Sequence, residues 1–441
     1  MSSKKVDRLT RLPEEIRSHI LSLMPTKFAV QTSILSKRWR YSWMFVTNLD
    51  FEFIPAIHGL NSFLESVDLV MELCKTSQLQ SFRLDFPGWR LPNSRVSNWI
   101  DKAVRLNVGE LDIEVIEQVE LPLSLFTCKT LTKLRLKTAF RECPCRVNLP
   151  CLKTLAIFVY KNPFLNAFKL IAGCPVLESL YLKVSFYDGV EDYIFGIPTL
   201  KRLKLTFLCS PVVNKVVLDV PNLEYLFVGG TPCSIFVMKN VSSLVEASIS
   251  LYDFTYDHLQ KLTFEHLWAE LLKGVSGVKS LSIKTMSSTL HLSTFLNMKH
   301  LELKSFWPSR RILQFLENSP ELKHLYIEKV LDFLIALLIF SLHFLTSSCL
   351  CLKQKLEGSC WIEPKLVPAC MPTNLTTIKL SVYKRSKCDI PFLKYTLGNA
   401  EALKTVTITW ANSRVEEESE LCAELLKLSR ASRYCEIHFL K

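Results

Sequence analysis

One short pattern returns along most of this chain: an apolar residue, two variable ones, a second apolar residue, one variable one, and a third apolar residue. It stands at Leu79/Phe82/Leu84, Val108/Leu111/Ile113, Leu131/Leu134/Leu136, Leu152/Leu155/Ile157, Leu177/Leu180/Leu182, Leu200/Leu203/Leu205, Leu223/Leu226/Val228 and Leu244/Ala247/Ile249. Further copies begin at Val278, Met298, Leu322, Leu375 and Leu403. Between Leu131 and Leu244 the starts fall at 131, 152, 177, 200, 223 and 244, steps of 21, 25, 23, 23 and 21 residues. A unit this short cannot bury its apolar stripe alone, but neighbours stacked on one another build a continuous core. That excludes a single closed core for the 441 residues and calls for an array in which each repeat touches only its neighbours. Each triplet is expected to be a short strand whose apolar residues point inward.

The step lies in the range of about 20–29 residues that marks leucine-rich repeats. The resemblance covers residues 51–330 and implies an α/β fold: a leucine-rich-repeat solenoid, with its strands in a parallel β-sheet horseshoe and helices or irregular turns on the outer face. Prolines such as Pro175, Pro198, Pro221 and Pro320 fall where the chain turns back. The variable strand positions face the concave side, among them Lys133, Arg135, Lys201, Lys204, Glu224, Tyr225, Lys323 and His324. The basic ones only weakly suggest an acidic partner, and a solvated strand face accounts for them better. Such a surface is a binding platform rather than a catalytic pocket.

Residues 7–43 read differently. Leu12-Pro13-Glu14-Glu15 opens a helix, with Pro near the first turn and acids at the positive end of its dipole. Leu12, Ile16, Ile20 and Leu23 recur at helical spacing and share a face. Met24-Pro25-Thr26 ends that helix, and Phe28 to Leu35 forms a second. A third begins at Ser36 and carries Trp39 and Trp43 on one side. Three short helices make a poor core, so some large apolar groups should stay exposed; the pattern alone fits a partner site and a cap on the following domain equally.

These residues resemble the F-box motif in the form common in plants: Leu12-Pro13, Ile16, Ile20-Leu21, Met24-Pro25, then Leu35-Ser36-Lys37-Arg38-Trp39-Arg40. The resemblance implies a three-helix module, residues 1–50, that packs against the small Skp-family adaptor of a cullin–RING ubiquitin ligase. The residues it assigns to that contact are Leu12, Pro13, Ile16, Ile20, Leu21, Pro25, Leu35 and Trp39, with Trp39 expected as a buried anchor.

The step from Leu322 to Leu375 is 53 residues, about two periods. Within it, Phe333 to Leu352 has His343 as the only side chain that carries charge near neutral pH, and its length of about twenty residues would suffice for a membrane span. Repeat-like sequence on both sides argues against a span, so 331–356 is read as an apolar insertion. Residues 357–441 resemble the FBD domain of plant F-box/leucine-rich-repeat proteins, through Cys360-Trp361, Pro364, Val367-Pro368, Cys370, Leu375, the run Phe392 to Ala400, Leu403-Lys404 and the tail Leu425 to Cys435. Strands are expected at Thr376–Tyr383 and Lys404–Trp410, with helices at Pro391–Asn399 and Ser413–Leu428.

The net charge is +12, yet Lys and Arg are scattered, with no basic run interleaved with aromatics. Nucleic acid is therefore not an expected partner. Only 12 glycines occur, and neither G-x-G-x-x-G nor G-x-x-x-x-G-K-[ST] is present. The 15 cysteines and the polar start point to reduced thiols in cytosol or nucleus. Cys143 and Cys145 lack a second pair at zinc spacing and read as small buried residues. The histidines form no catalytic motif. The expectation is a non-enzyme without cofactor or metal. It would be the substrate-recognition adaptor of an SCF-type ligase, its F-box on the Skp-family adaptor, through that on a cullin, and its repeats on a target protein. The alternative is a leucine-rich-repeat interaction scaffold acting outside a ligase.

Overall fold

The computed structural model describes residues 11–57, 59–86, 91–140, 143–144, 146–159, 164–185, 192–208, 214–230, 234–251, 258–285, 292–305, 307–329, 363–382, 389–410 and 422–440. The apolar segment 331–356, the expected features at Cys360-Trp361, Cys145 and most of the expected helix at 413–428 lie outside these residues; within that last region 422–426 is helical. The chain forms two compact units, residues 1–188 with 199–205, and residues 189–198 with 206–441.

The first unit opens with α1 (Glu14–Ser22) and α2 (Thr26–Gln31), each led by a proline, Pro13 and Pro25, with extended ψ. A single 3₁₀ turn, Thr32–Ile34, follows. The expected third helix does not form. Residues 36–41 make successive tight turns, and a 3₁₀ turn spans Ser42–Phe45. Side chains compete with the helix here: Ser42 Oγ donates to the Arg38 carbonyl at 3.0 Å and accepts from Arg17 Nε at 3.1 Å.

Then come β1 (Asn48–Glu52), α3 (Leu60–Leu73), β2 (Ser81–Phe86), α4 (Asn93–Arg105), β3 (Glu110–Val119), β4 (Lys133–Phe140), β5 (Thr154–Val159), α5 (Phe164–Ala172) and β6 (Ser179–Ser185). The next strand, β7 (Tyr193–Phe195), belongs to the second unit, and β8 (Arg202–Leu208) lies beside β6. Strands β1 to β6 pair in sequence order, all parallel. Register places the middle apolar residues side by side: Leu49, Phe82, Leu111, Leu134, Leu155 and Leu180. All are buried. At about 1.5–3 kcal/mol for each large apolar side chain, this row and its neighbours hold the unit together.

The second unit contains β9 (Asn214–Asp219), β10 (Tyr225–Gly230), β11 (Ser234–Asn240), β12 (Glu246–Leu251), α6 (His258–Gly274), β13 (Ser280–Thr285), β14 (His300–Lys304), α7 (Ser309–Glu317) and β15 (His324–Lys329). It closes with α8 (Cys370–Thr373), β16 (Thr377–Val382), α9 (Asp389–Asn399), β17 (Thr405–Trp410) and β18 (Glu436–Leu440). Its main sheet runs β10-β12-β13-β14-β15-β16-β17-β18, again parallel. Strands β15 and β16 lie side by side although 53 residues separate Leu322 from Leu375. The FBD-like strands thus continue the sheet of the preceding repeats.

All thirteen copies of the apolar pattern are strands. Two more strands, β1 and β18, carry the same spacing at Val46/Leu49/Phe51 and Tyr434/Ile437/Phe439, and sequence reading passed over both. The return segments also differ from expectation. Besides helices and turns they include a second parallel sheet, β11-β9-β7, against which α6 packs through β11. Its runs, such as Val216-Val217-Leu218 and Ile235-Phe236-Val237, are short and rich in β-branched residues, which favours strands over helices.

Candidate functional site

The amino-terminal module is built inside out. Facing inward on α1 are Arg17, Ser18, Leu21 and Ser22, and on α2 Thr26 and Ala29. Except for Leu21 and Arg17 these are small, so the helices sit close to the chain behind them. The inner polar groups are satisfied: Arg17 reaches Ser42 Oγ and the Leu12 carbonyl (2.6 Å), and Ser22 Oγ donates to the Ser18 carbonyl at 2.8 Å. The large apolar residues face the other way. Ile16, Phe28 and Tyr41 are exposed, Leu23 is 73% exposed, Ile34 86% and Leu35 66%. So many large apolar side chains turned to solvent on a module this small is the pattern of a surface that a partner covers.

The residues assigned to partner contact divide accordingly. Pro13, Ile16, Pro25 and Leu35 are exposed, and Leu12 and Ile20 are half-buried. Leu21, at 0% exposure, and Trp39, at 4%, lie inside the module. Trp39, expected as a buried anchor, is buried within the module, where the tight turns at 36–41 place it. Sequence reading missed Phe28, Ile34 and Tyr41 on the surface. The available signal was the small inward set Ser18, Ser22, Thr26 and Ala29, spaced three or four residues apart on α1 and α2, which leaves the large residues no inward place.

The module is fastened to the repeats through β1. Thr47 N–H donates to Ser22 Oγ at 2.9 Å, Asn48 Nδ2 to the Ser22 carbonyl at 2.9 Å, and Asp50 N–H to Thr26 Oγ1 at 2.7 Å. A sheet edge that would otherwise offer unpaired groups is thereby occupied by α1 and α2.

The second surface is the open face of the first unit's sheet, where strand residues alternate with the buried row. Charge is sorted along it. Strands β1 to β3 present Asp50, Glu52, Asp85, Glu110, Asp112 and Glu114 against one base, Arg83. Beyond them come Lys133, Arg135, Lys137, Lys183, Arg202 and Lys204, with no acid at the described open-face positions. Where the two regions meet, ion pairs form: Lys133 with Glu110 at 3.1 Å, Arg135 with Asp112 at 2.7 Å and with Glu114 at 3.2 Å, and Lys137 with Glu114. Burial works to raise the Glu114 pKa, but the hydrogen bond and charge of Lys137, with Arg135, outweigh it and hold the carboxyl below its ordinary value. Asp85 shifts upward, through burial and the nearby charge of Glu114. Lys133 and Arg135, read as open to a partner, are therefore matched within the sheet.

Past that boundary the face turns aromatic. Lys137 and Lys183 both lie over the Phe158 ring at 5.8 Å, and Lys204 lies over Tyr181 at 5.1 Å. In the second unit, His300 and His324 stack at 4.5 Å and 15°. No group of three or more His, Cys, Asp or Glu able to hold a metal occurs among the described residues, and no described helix is long and apolar enough to cross a membrane.

Comparison with known proteins places three families along the sequence. An F-box domain matches residues 9–48, the leucine-rich repeats described for the FBD-associated F-box protein At5g56370 match 96–248, and an FBD domain matches 363–408. The Arabidopsis thaliana FBD-associated F-box protein At4g10400 is 30% identical over 98% of this chain and 100% of its own length. The F-box/LRR-repeat protein At3g59200 of the same plant is 28% identical over 98% of the chain and 88% of its own. The F-box/LRR-repeat protein At4g14103 is 37% identical over 56% of the chain and 68% of its own.

Proposed function

Because the chain belongs to the plant FBD-associated F-box/leucine-rich-repeat family, we propose that it is a substrate-recognition adaptor of an SCF-type cullin–RING ubiquitin ligase. The amino-terminal surface docks on a Skp-family adaptor and, through it, on a cullin. The repeat sheets bind the target protein, and ubiquitin transfer is carried out by other subunits, in cytosol or nucleus. The observation that carries this reading is the inside-out module: small side chains packed inward, Ile16, Leu23, Phe28, Ile34 and Leu35 turned outward. Covering them is worth about 25 cal/mol for each Å² of apolar surface removed from water. The hydrogen bonds that Thr47, Asn48 and Asp50 donate to Ser22 and Thr26 support the same reading. They fix the docking module on the repeats, so a bound target is held in a set place relative to the ligase.

The full chain, mixed with a plant Skp-family adaptor and the amino-terminal part of a cullin, should elute in gel filtration as one ternary species. The double change Leu12→Ala, Pro13→Ala should abolish that species. A well-folded wild-type chain that elutes alone would contradict the proposal.

A further inference from the structure

We infer that the open sheet face around Phe158, Tyr181, Lys183 and Lys204 binds an acidic, extended segment of the target polypeptide. The inference rests on the reading of the sheets as the target-binding surface and names the chemistry of what binds there.

Charge sorting is the first observation. The acids of β3, Glu110, Asp112 and Glu114, are matched by Lys133, Arg135 and Lys137 at the boundary. Farther along, Lys183 and Arg202 have no acidic partner among the described residues, and Lys204 lies in the same row as Tyr181 with its Nζ over that ring. Among the described residues of this face, the positive surplus lies on this side. An anionic partner is attracted here and repelled from Asp50, Glu52 and Asp85, so it is directed as well as bound.

The second observation is the floor. Phe158 and Tyr181 are half-exposed on adjacent strands, and Ala156 stands in register between Arg135 and Tyr181. That small residue leaves a dip between two large ones. The ammonium groups of Lys183 and Lys204 lie over the rings, so charge and apolar surface stand side by side. An occupant that alternates carboxylates with apolar side chains fills both features, which an extended peptide does through its two-residue period. The arrangement favours carboxylates over a single phosphate. Of the two guanidinium groups on this side, Arg135 is already committed to Asp112 and Glu114, which leaves Arg202 without a second fork to converge on a phosphate among the described residues.

The test uses the full chain and a short fluorescein-labelled peptide alternating Glu with Leu, followed by anisotropy. The Glu–Leu peptide should bind and a Lys–Leu peptide of equal length should not. Affinity should fall as salt rises, since exposed charges are screened within about 10 Å at 0.1 M. The double change Lys183→Glu, Lys204→Glu should weaken binding about tenfold or more, and the milder pair Lys183→Gln, Lys204→Gln should weaken it less. The change Glu52→Lys should leave binding intact or tighten it. Binding that ignores these lysines and salt, or that needs phosphoserine in place of Glu, would overturn the inference. Titration of each variant with the Skp-family adaptor separates the two readings. Adaptor binding unchanged while the peptide fails sinks this inference alone, and loss of adaptor binding by the wild-type chain sinks the ligase reading.

Discussion

The backbone N–H of Asp50 donates to Thr26 Oγ1 at 2.7 Å, so the first residue of α2 closes the outer edge of the first strand. Thr26 is almost fully buried. Thr26→Val keeps the shape and removes the acceptor. Leaving that N–H unpaired should cost about 1–3 kcal/mol. The change should appear as a lower thermal midpoint, and as faster proteolysis of the amino-terminal module than of the repeats.

Exposed and buried members of the module should fail in different ways. Ile34→Asp with Leu35→Asp touches residues that are mostly in solvent, so stability should stay within about 0.5 kcal/mol of wild type while adaptor binding is lost. Trp39→Ala empties the core and should cost about 3–5 kcal/mol, losing binding by unfolding. Denaturant melts run beside binding titrations distinguish the two outcomes.

Much of this fold is legible in the sequence, and the reason is physical. Residues such as Leu134, Leu155 and Leu180 must lie side by side in register to share one core, so their spacing cannot drift far. The amino-terminal module is less legible because its apolar face looks outward. Periodicity finds the stripe of Ile16, Ile20 and Leu23 but does not say which side is buried. The segment around Trp39 is hard to read for a related reason. The four-residue spacing of Trp39 and Trp43 looks helical, whereas the Ser42 hydroxyl bonds to the Arg38 carbonyl and the segment folds into turns. The charge ladder of the sheet needs register as well as sequence, since Asp112 and Arg135 meet only when β3 and β4 are aligned.

His324 should give stability a pH dependence. Burial first, then His300 and Lys323, hold its pKa below the ordinary 6.5. The unfolded chain therefore binds more protons just below pH 6.5. The stability associated with the neutral ring is fully present above that value and is lost as pH falls from 6.5 through the depressed folded value. His324→Gln should flatten the fall of the thermal midpoint between about pH 5 and 6.5. An unchanged slope would show that other groups set it.

Gly230 should tolerate no side chain. Its φ is +95°, and an added Cβ would lie 2.0 Å from the Phe207 carbonyl oxygen. Gly230→Ala combines that clash with a conformation costing about 1–3 kcal/mol for other residues. The second unit should melt earlier, as followed by hydrogen exchange in β10 and β12.

Thiol reactivity should follow burial. Burial pushes the Cys174 and Cys370 thiols up to about 12, with the Cys143 charge adding to Cys174. Cys151 is exposed. Among the described cysteines, brief alkylation near pH 7 followed by peptide mapping should label Cys151 first and leave Cys174 and Cys370 unmodified until the chain unfolds.

The most direct test of the account is calorimetric titration of the full chain with a plant Skp-family adaptor, wild type beside Ile34→Asp, Leu35→Asp. The account predicts saturable one-to-one binding by the wild type, and none by a variant that melts like the wild type. Equal binding by both would contradict it, because the outward apolar residues would then play no part in docking.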